Sequence, residues 1–309
     1  MKFIATGNVR KNKGVYFGLW GFLVFALFFW LSGFLYYHIN FGFSYESLFK
    51  YYFSDVEFPE KISIKQVIEN VHINLFINSF LVFITLSIFN IFNYKPFLKL
   101  FIIVATSVSG LLYSLSDLIV YYLENLLILK PVLFLAFQFF IGLSLFMSVY
   151  GLIKISSNPN LKLLKLNIAL FSFAIIIFFL LNGVLFFGKI GFCVGCVKTY
   201  YLGSQELYTK PKTLEGLFKV FYPHLIPLAI ISFTLIHLLF FTSFNKTLSL
   251  ILGVSGFISS FIDNLSGILI RYISDIFSIV KLLSFFLLEI SFIAGFLIVM
   301  IFSFKKEPV

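Results

Sequence analysis

Four histidines are the side chains best suited to hold a cofactor in this sequence: His38, His72, His224 and His237. His72 and His224 stand at matching places near the starts of two apolar segments, so a two-fold axis would place them symmetrically. Two imidazoles that face each other from neighbouring helices suit the axial ligation of a b-type haem. The same pair could instead bind a metal, donate to a quinone, or lie at the headgroup interface without a ligand.

His38 and His237 are weaker candidates for the same role. His237 follows His224 along one apolar segment, which puts it roughly 20 Å deeper and on a different helical face. Thr85 occupies the place in the first half of the chain that matches His237. Symmetry therefore predicts at most one bis-histidine site.

Cys193 and Cys196 form a Cys-x-x-Cys motif, and Ser44 and Ser47 stand at the matching places in the first half. On an oxidising face this pair predicts either a structural disulfide or a redox-active one, because the spacing often lowers a thiol pKa. Free thiols are a further alternative. A zinc site would need two more ligands, and Val197 in place of histidine excludes c-type haem attachment, so no metal site is predicted.

Glu289 lies within a long apolar run, where a charged carboxylate is costly and a neutral or paired acid is expected. Its counterpart in the first half is Gln138, which keeps hydrogen bonding without charge. This asymmetry indicates either a specialised role for one half or a structural hydrogen bond to a neighbouring helix.

Two further acids, Asp117 and Asp263, end stripes of small residues that recur at the same spacing. The stripes are Ser107, Gly110, Ser114 and Asp117 in the first half, and Gly253, Gly256, Ser260 and Asp263 in the second. Small residues let two helices approach closely, so the stripes predict packing across a pseudo-two-fold axis. The two aspartates could also face each other or a cation.

The elements that carry these residues are membrane-spanning helices. Of the 309 residues, 60% are hydrophobic and only 12% are charged, which excludes an ordinary water-soluble enzyme. Each crossing needs about 20 apolar residues. Eight segments qualify: 15–38, 71–92, 98–120, 131–153, 164–188, 224–243, 248–272 and 279–302.

Lysine and arginine concentrate on one side of these helices, which predicts that both termini are cytoplasmic. That side holds Lys2, Arg10, Lys11, Lys13, Lys95, Lys99, Lys154, Lys162, Lys165, Lys246, Lys305 and Lys306 against a single acid, Glu307. The net charge of +10 is thus mostly a topology signal. The loops 39–70 and 189–223 are predicted to lie outside.

The chain is predicted to be a tandem duplication of a four-helix unit, with repeats at 1–160 and 161–309. Besides the stripes, Glu124, Lys130 and Gln138 match Asp275, Lys281 and Glu289, and Tyr51-Tyr52 matches Tyr200-Tyr201. Four spans are an even number, so the repeats should have parallel orientation about an axis along the membrane normal.

Each outer loop is predicted to hold an amphipathic aromatic segment and to end in a capped helix. Ser63 to Gln66 is a capping-box pattern, and Thr213 is its counterpart. The aromatic residues suit the headgroup region, and the loops could close over the histidines as a lid.

Residues 198–203, 212–215 and the helix from His224 to His237 resemble a pattern in uncharacterised bacterial multi-spanning inner-membrane proteins. The Tyr-Tyr-Leu-Gly of the outer loop, which ends at Gly203, is its most recognisable part. The resemblance implies a bacterial cytoplasmic (inner) membrane location and carries no activity.

Three classes of function stay open for this chain. The first is a redox or electron-transfer component with an outer histidine site for haem b or quinone, which would work with another membrane or periplasmic redox protein. The second is a transporter or channel that uses Glu289, Gln138, Asp117 and Asp263. The third is an assembly or scaffold subunit. No hydrolase, kinase or ATPase motif is present, and neither a nucleotide nor a nucleic acid is an expected partner.

Overall fold

The computed structural model describes residue 9 and the ranges 12–54, 60–242 and 244–304. Part of the predicted topology signal lies outside these described residues. The terminal charges concerned are Lys2, Arg10, Lys11, Lys305, Lys306 and Glu307.

All eight predicted spans are helices long and apolar enough to cross a membrane. They are α1 (Lys13–Asn40), α3 (Ile64–Ile91), α4 (Pro96–Tyr122), α5 (Leu129–Lys154), α6 (Leu161–Lys189), α8 (Leu214–Phe241), α9 (Lys246–Tyr272) and α10 (Phe277–Phe304). Two shorter helices, α2 (Tyr45–Phe53) and α7 (Val194–Leu202), occupy the predicted outer loops.

Helices α3 and α8 begin well before their apolar cores. Ser63 accepts a hydrogen bond from the backbone amide of Gln66, and Thr213 accepts one from Gly216, so both predicted N-caps are confirmed. A capped helix can start among polar residues because the cap satisfies an amide that the helix itself leaves unpaired. Hydropathy alone detects only the later, apolar part of each helix.

The short helices α2 and α7 are entered through the same turn. Gly42 and Gly191 have φ values of 68° and 95°, and each lies two residues before the N-cap, which is Ser44 in α2 and Cys193 in α7. A positive φ is open to glycine at little cost. The repeated turn therefore gives both repeats the same direction of entry into their short helix.

The chain divides into two compact units, residues 1–175 and 176–309, with the division inside α6. In the first unit, α3 packs against both α4 and α5, and α1 packs against α5. In the second unit, α9 packs against α8 and α10, and α7 lies on α9 and α10. Large apolar side chains such as Phe25 and Phe97 are exposed, which suits contact with lipid.

Candidate functional site

A buried ionic cluster joins three elements of the first unit. Lys130 of α5 forms an ion pair with Asp117 of α4, and Tyr52 of α2 donates a hydrogen bond to the same carboxylate oxygen. The Lys130 Nζ also lies 3.8 Å from the centroid of the Phe41 ring. Both charged side chains are 1% exposed, so the cluster is fully withdrawn from solvent.

The second unit contains the equivalent cluster. The Nζ of Lys281, on α10, lies 2.8 Å from an oxygen of Asp263 on α9 and donates to the Asp263 carbonyl at 3.0 Å. The phenol of Tyr201, which α7 supplies, lies close to both of these charged groups. The same three residue types thus hold the same three elements together in both units.

These clusters change the interpretation of the two aspartates. Sequence analysis left open that Asp117 and Asp263 face each other or an external cation, but each pairs with a lysine of its own unit. Removing one partner of a buried ion pair is strongly destabilising, by about 3–5 kcal/mol. Each pair thus joins two long helices of its unit, and the adjacent tyrosine connects the short helix to that pair.

The phenols of both clusters are held in the protonated form. Burial raises the pKa of Tyr52, and the adjacent charge of Asp117 raises it further. Burial likewise raises the pKa of Tyr201, although the nearby Lys281 opposes part of that effect. Neutral phenols are the form that can donate a hydrogen bond to a carboxylate.

Matching acids at the ends of α4 and α9 form surface ion pairs instead. Glu124 pairs with Lys61, and Asp275 accepts a hydrogen bond of 2.6 Å from Lys198. This bond, together with the positive charge of Lys198, lowers the pKa of Asp275. Exposed pairs of this kind contribute little to stability.

Cys193 and Cys196 form a disulfide at the start of α7. The Cys193 sulfur accepts a hydrogen bond from the Cys196 amide, so the disulfide also caps the helix. In α2 the same two places hold Ser44 and Ser47, whose hydroxyls are 3.0 Å apart, and the Ser44 hydroxyl caps the Ser47 amide. The disulfide therefore replaces a hydrogen-bonded pair of serines.

The predicted structural partner of Glu289 is present, because Asn182 of α6 donates a hydrogen bond of 2.7 Å to its carboxylate. The side chain of its counterpart, Gln138, has a different environment. It is 7% exposed, and its Oε1 is buried without a hydrogen-bond partner among the described residues. A Cβ on Gly33 would lie only 3.0 Å from the Gln138 Nε2, so the glycine makes room for the amide.

Gln138 lines a cavity of about 420 Å³ inside the first unit. Its walls come from α1, α3, α4 and α5, and they are mostly apolar and aromatic, with Trp30 and Phe137 among them. Several polar side chains share this lining: Ser32, Tyr36, Asn74, Asn78, Tyr113 and Gln138. An apolar cavity with a few convergent polar groups is the usual form of a small-molecule site.

The histidines do not line this cavity. His38 is exposed and lies against the Phe43 ring, and His237 stacks on Phe233. His224 is exposed, and its Nδ1 lies 2.6 Å from the Val220 carbonyl of the same helix. His72 belongs to the first unit and His224 to the second, so their pairing stays a prediction.

The small-residue stripes pack within each unit. A Cβ on Gly110 would lie 3.0 Å from the Phe137 ring and 3.4 Å from Val82, and a Cβ on Gly253 would collide with Ile236. Both glycines thus have close neighbours within their own unit, and packing across a pseudo-two-fold axis stays a prediction. The same small side chains are needed where α4 and α9 meet neighbours of their own four-helix unit.

Together these features define a polytopic, all-α membrane protein formed by tandem duplication. The chain belongs to the family of the Aq_1264_TM transmembrane helical domain, whose model matches it twice, at residues 42–160 and 191–309. Each match begins just before a short helix, α2 or α7, and includes the three long helices after it. No curated protein and no solved structure matches the chain.

Lys130 and Lys281 stand at matching positions in the sequence, but the sequence did not assign them to a site. The signal was available, because Lys130 and Lys281 follow their aspartates near the outer end of the next helix, where an unpaired buried charge would be costly. Asn182 and Asn78 were also missed. The sequence does not show which neighbouring helix an isolated asparagine faces. The hydrogen-bond partners of these residues could therefore be identified only from the tertiary structure.

Proposed function

We propose that this polytopic membrane protein binds a lipophilic quinone in the cavity of its first unit. The observation that carries the proposal is the buried amide of Gln138, whose oxygen has no hydrogen-bond partner in the described part of the chain. A buried polar atom without a partner costs about 1–3 kcal/mol, so a ligand that supplies one is favoured.

The amide suits both redox forms of such a ligand. Its nitrogen can donate to a quinone carbonyl, and its oxygen can accept from a quinol hydroxyl. The phenol of Tyr113 and the amide of Asn74 share the lining and offer a second polar contact. The aromatic walls suit the flat ring, and the surrounding lipid is where such molecules dissolve.

The second unit supports the assignment of the site to the first. There the matching carboxylate of Glu289 is already engaged by Asn182, so it needs no ligand. Among the described residues the Gln138 oxygen has no such partner, and Gly33, which has no side chain, lies beside the amide. The divergence of the two repeats at this position is what a binding site in one repeat predicts.

The cavity provides its own reporter for a binding experiment. Trp30 lines it, and the chain has only 2 tryptophans, so Trp20→Phe leaves Trp30 as the single indole. We expect decylubiquinone to quench Trp30 saturably in the purified full-length protein. Gln138→Met should weaken this binding about tenfold, as expected for the loss of about 1.4 kcal/mol of hydrogen bonding.

Gln66→Met is the matched control, because Gln66 is exposed at the start of α3. Gly33→Ala is a second test, since the added methyl would displace the Gln138 amide without changing it. Equal quenching curves for Gln138→Met, Gly33→Ala and the control would contradict the proposal.

The location of the protein and its partners are proposed from the sequence. We place the protein in a bacterial cytoplasmic membrane with both termini cytoplasmic, on the lysine and arginine bias, and expect a membrane or periplasmic redox partner. We also propose that the first repeat ends at residue 160 and the second begins at residue 161. His72 and His224 are proposed as the axial ligands of a haem. An absorption spectrum with a Soret band would support that haem.

Transport has less support from the geometry than quinone binding. Asp117 and Asp263 form ion pairs with lysines. Of the three acids considered for transport, only Glu289 would remain to carry a proton or cation. A role as a scaffold subunit would rest on the outer aromatic helices, and copurification of another membrane protein would test it.

A further inference from the structure

An open pocket of about 490 Å³ lies where the α3–α4 turn meets the α5–α6 loop, on the side that the charge bias predicts to be cytoplasmic. Its lining combines two lysines with three asparagines: Lys99, Lys162, Asn93, Asn158 and Asn160. Among the described residues, no acid lines it. The pocket belongs entirely to the first unit and is separate from the Gln138 cavity.

Lys99 is a buried cation at the base of this pocket. It is 2% exposed, and its Nζ donates to the carbonyls of Asn90 at 2.8 Å and Asn158 at 3.1 Å. An ammonium has three donors, so one remains. The carbonyls orient the group without balancing its charge.

The described part of the chain supplies no carboxylate to this region. Within the described residues, neither Lys99 nor Lys162 forms an ion pair, and the sequence has no Asp or Glu in 70–116 or 125–205. A buried charge normally requires a counter-ion. The pocket therefore has a deficit of negative charge that an external ligand can correct.

The walls of the pocket are fixed by backbone pairing between the two connections. The amide of Asn93 donates to the Ser156 carbonyl at 2.9 Å, and the amide of Asn158 donates to the Ile91 carbonyl at 2.8 Å. Helix α4 then begins at Pro96 without a side-chain cap, so its first amides and its positive dipole end face the same region. A preformed frame of this kind lowers the entropy cost of binding.

We propose that this pocket binds a phosphate group, either the headgroup phosphate of an anionic glycerophospholipid or free phosphate. Lys99 supplies the buried charge, Lys162 a second charge at the rim, and the asparagine amides neutral donors. The phosphate supplies the negative charge that no described carboxylate provides to Lys99.

The second unit lacks these features and so offers a matched control. There α9 begins at Lys246, and Asn245 caps it by accepting from the amides of Thr247 and Leu248. In the register of the small-residue stripes, Asn245 itself stands at the place of Lys99. Lys246→Met thus removes a lysine from the matching helix start without touching the pocket.

Native mass spectrometry of the full-length protein with added phosphatidylglycerol tests the proposal. We expect one lipid to be retained, and Lys99→Met to weaken its binding about tenfold or more, since a charge-assisted hydrogen bond contributes about 1.5–3 kcal/mol. Lys162→Met should weaken binding severalfold, and Lys246→Met should leave it unchanged. Because Lys162 is exposed, its variant keeps the test valid if Lys99→Met fails to fold.

Competition distinguishes the two sources of phosphate. If inorganic phosphate does not displace phosphatidylglycerol, the site is specific for the lipid headgroup. If it displaces the lipid and itself stabilises the protein against heat in a Lys99-dependent manner, free phosphate is the ligand. Equal retention of phosphatidylglycerol by Lys99→Met, Lys162→Met and the control, with no Lys99-dependent effect of phosphate, would overturn the proposal.

Discussion

The phenol of Tyr52 donates a hydrogen bond to the carboxylate of Asp117, which joins the short helix α2 to the membrane-spanning helix α4. The same oxygen also accepts from Lys130, whereas Oδ2 of Asp117 is buried without a hydrogen-bond partner among the described residues. The geometry makes one carboxylate oxygen the common anchor for two neighbouring elements. The stability of α2 on the long helices should therefore depend on this cluster.

Tyr52→Phe removes the phenol while keeping the ring. We expect the unfolding free energy to fall by about 1.5–3 kcal/mol, the range for a hydrogen bond to a charged group. Faster hydrogen exchange across α2 would report the local loosening. Tyr45→Phe is the control, because Tyr45 lies in the same helix and is 55% exposed. Equal exchange in both variants would refute the anchoring role.

Asp117→Asn leaves the Lys130 charge buried without its partner. We expect a loss of about 3–5 kcal/mol, and a smaller loss when Asp117→Asn is combined with Lys130→Met, because the double variant removes the uncompensated charge. Thermal unfolding in detergent measures both. Lys198→Ala, which breaks an exposed ion pair, should change the midpoint little. Additive effects in the double variant would argue against a coupled pair.

The disulfide at α7 should be replaceable by serines. Ser44 and Ser47 perform the same capping role in α2, so Cys193→Ser with Cys196→Ser should keep the fold and lower stability by about 2 kcal/mol or less, since the closed loop is very short. Circular dichroism and thermal unfolding check this. Loss of a redox activity in a variant that is still folded would instead assign the cysteines a chemical role.

Helices α2 and α7 should lose stability only at pH values above the ordinary tyrosine pKa of about 10. The pKa values of Tyr52 and Tyr201 are raised by burial, so their stabilising contribution is complete below the ordinary tyrosine pKa of about 10 and is lost only as pH rises beyond it. Burial also raises the pKa of Tyr94, to about 12. Titration of tyrosinate absorbance should show a late phase that shrinks in Tyr52→Phe. A complete titration near pH 10 would contradict this expectation.

Glu289→Gln should preserve the fold, because a glutamine oxygen can still accept from Asn182. Asn182→Leu should be more destabilising, since it leaves Glu289 buried at 9% exposure without its donor. Thermal unfolding of the two variants provides the comparison. Equal midpoints would show that the hydrogen bond contributes nothing, and loss of uptake in Glu289→Gln alone would favour transport.

The sequence by itself determined the number of crossings and the duplication. The length of an apolar segment identifies a membrane helix because lipid offers the backbone no hydrogen-bond partners. The repeated spacing of small and acidic residues reveals the duplication without any knowledge of how the helices pack. The capped starts at Ser63 and Thr213 were also readable, since a cap is a local interaction. Each of these features depends on residues close together in the chain.

Only the tertiary structure decided which polar residues meet. Asp117 and Lys130 lie on different helices, and hydropathy does not say which faces of these helices turn toward each other. The same limit hid the contact of Gly110 with Phe137 and the exposed position of His224. Side chains in an almost uniformly apolar chain are oriented by packing between helices, and that packing is a property of the whole unit.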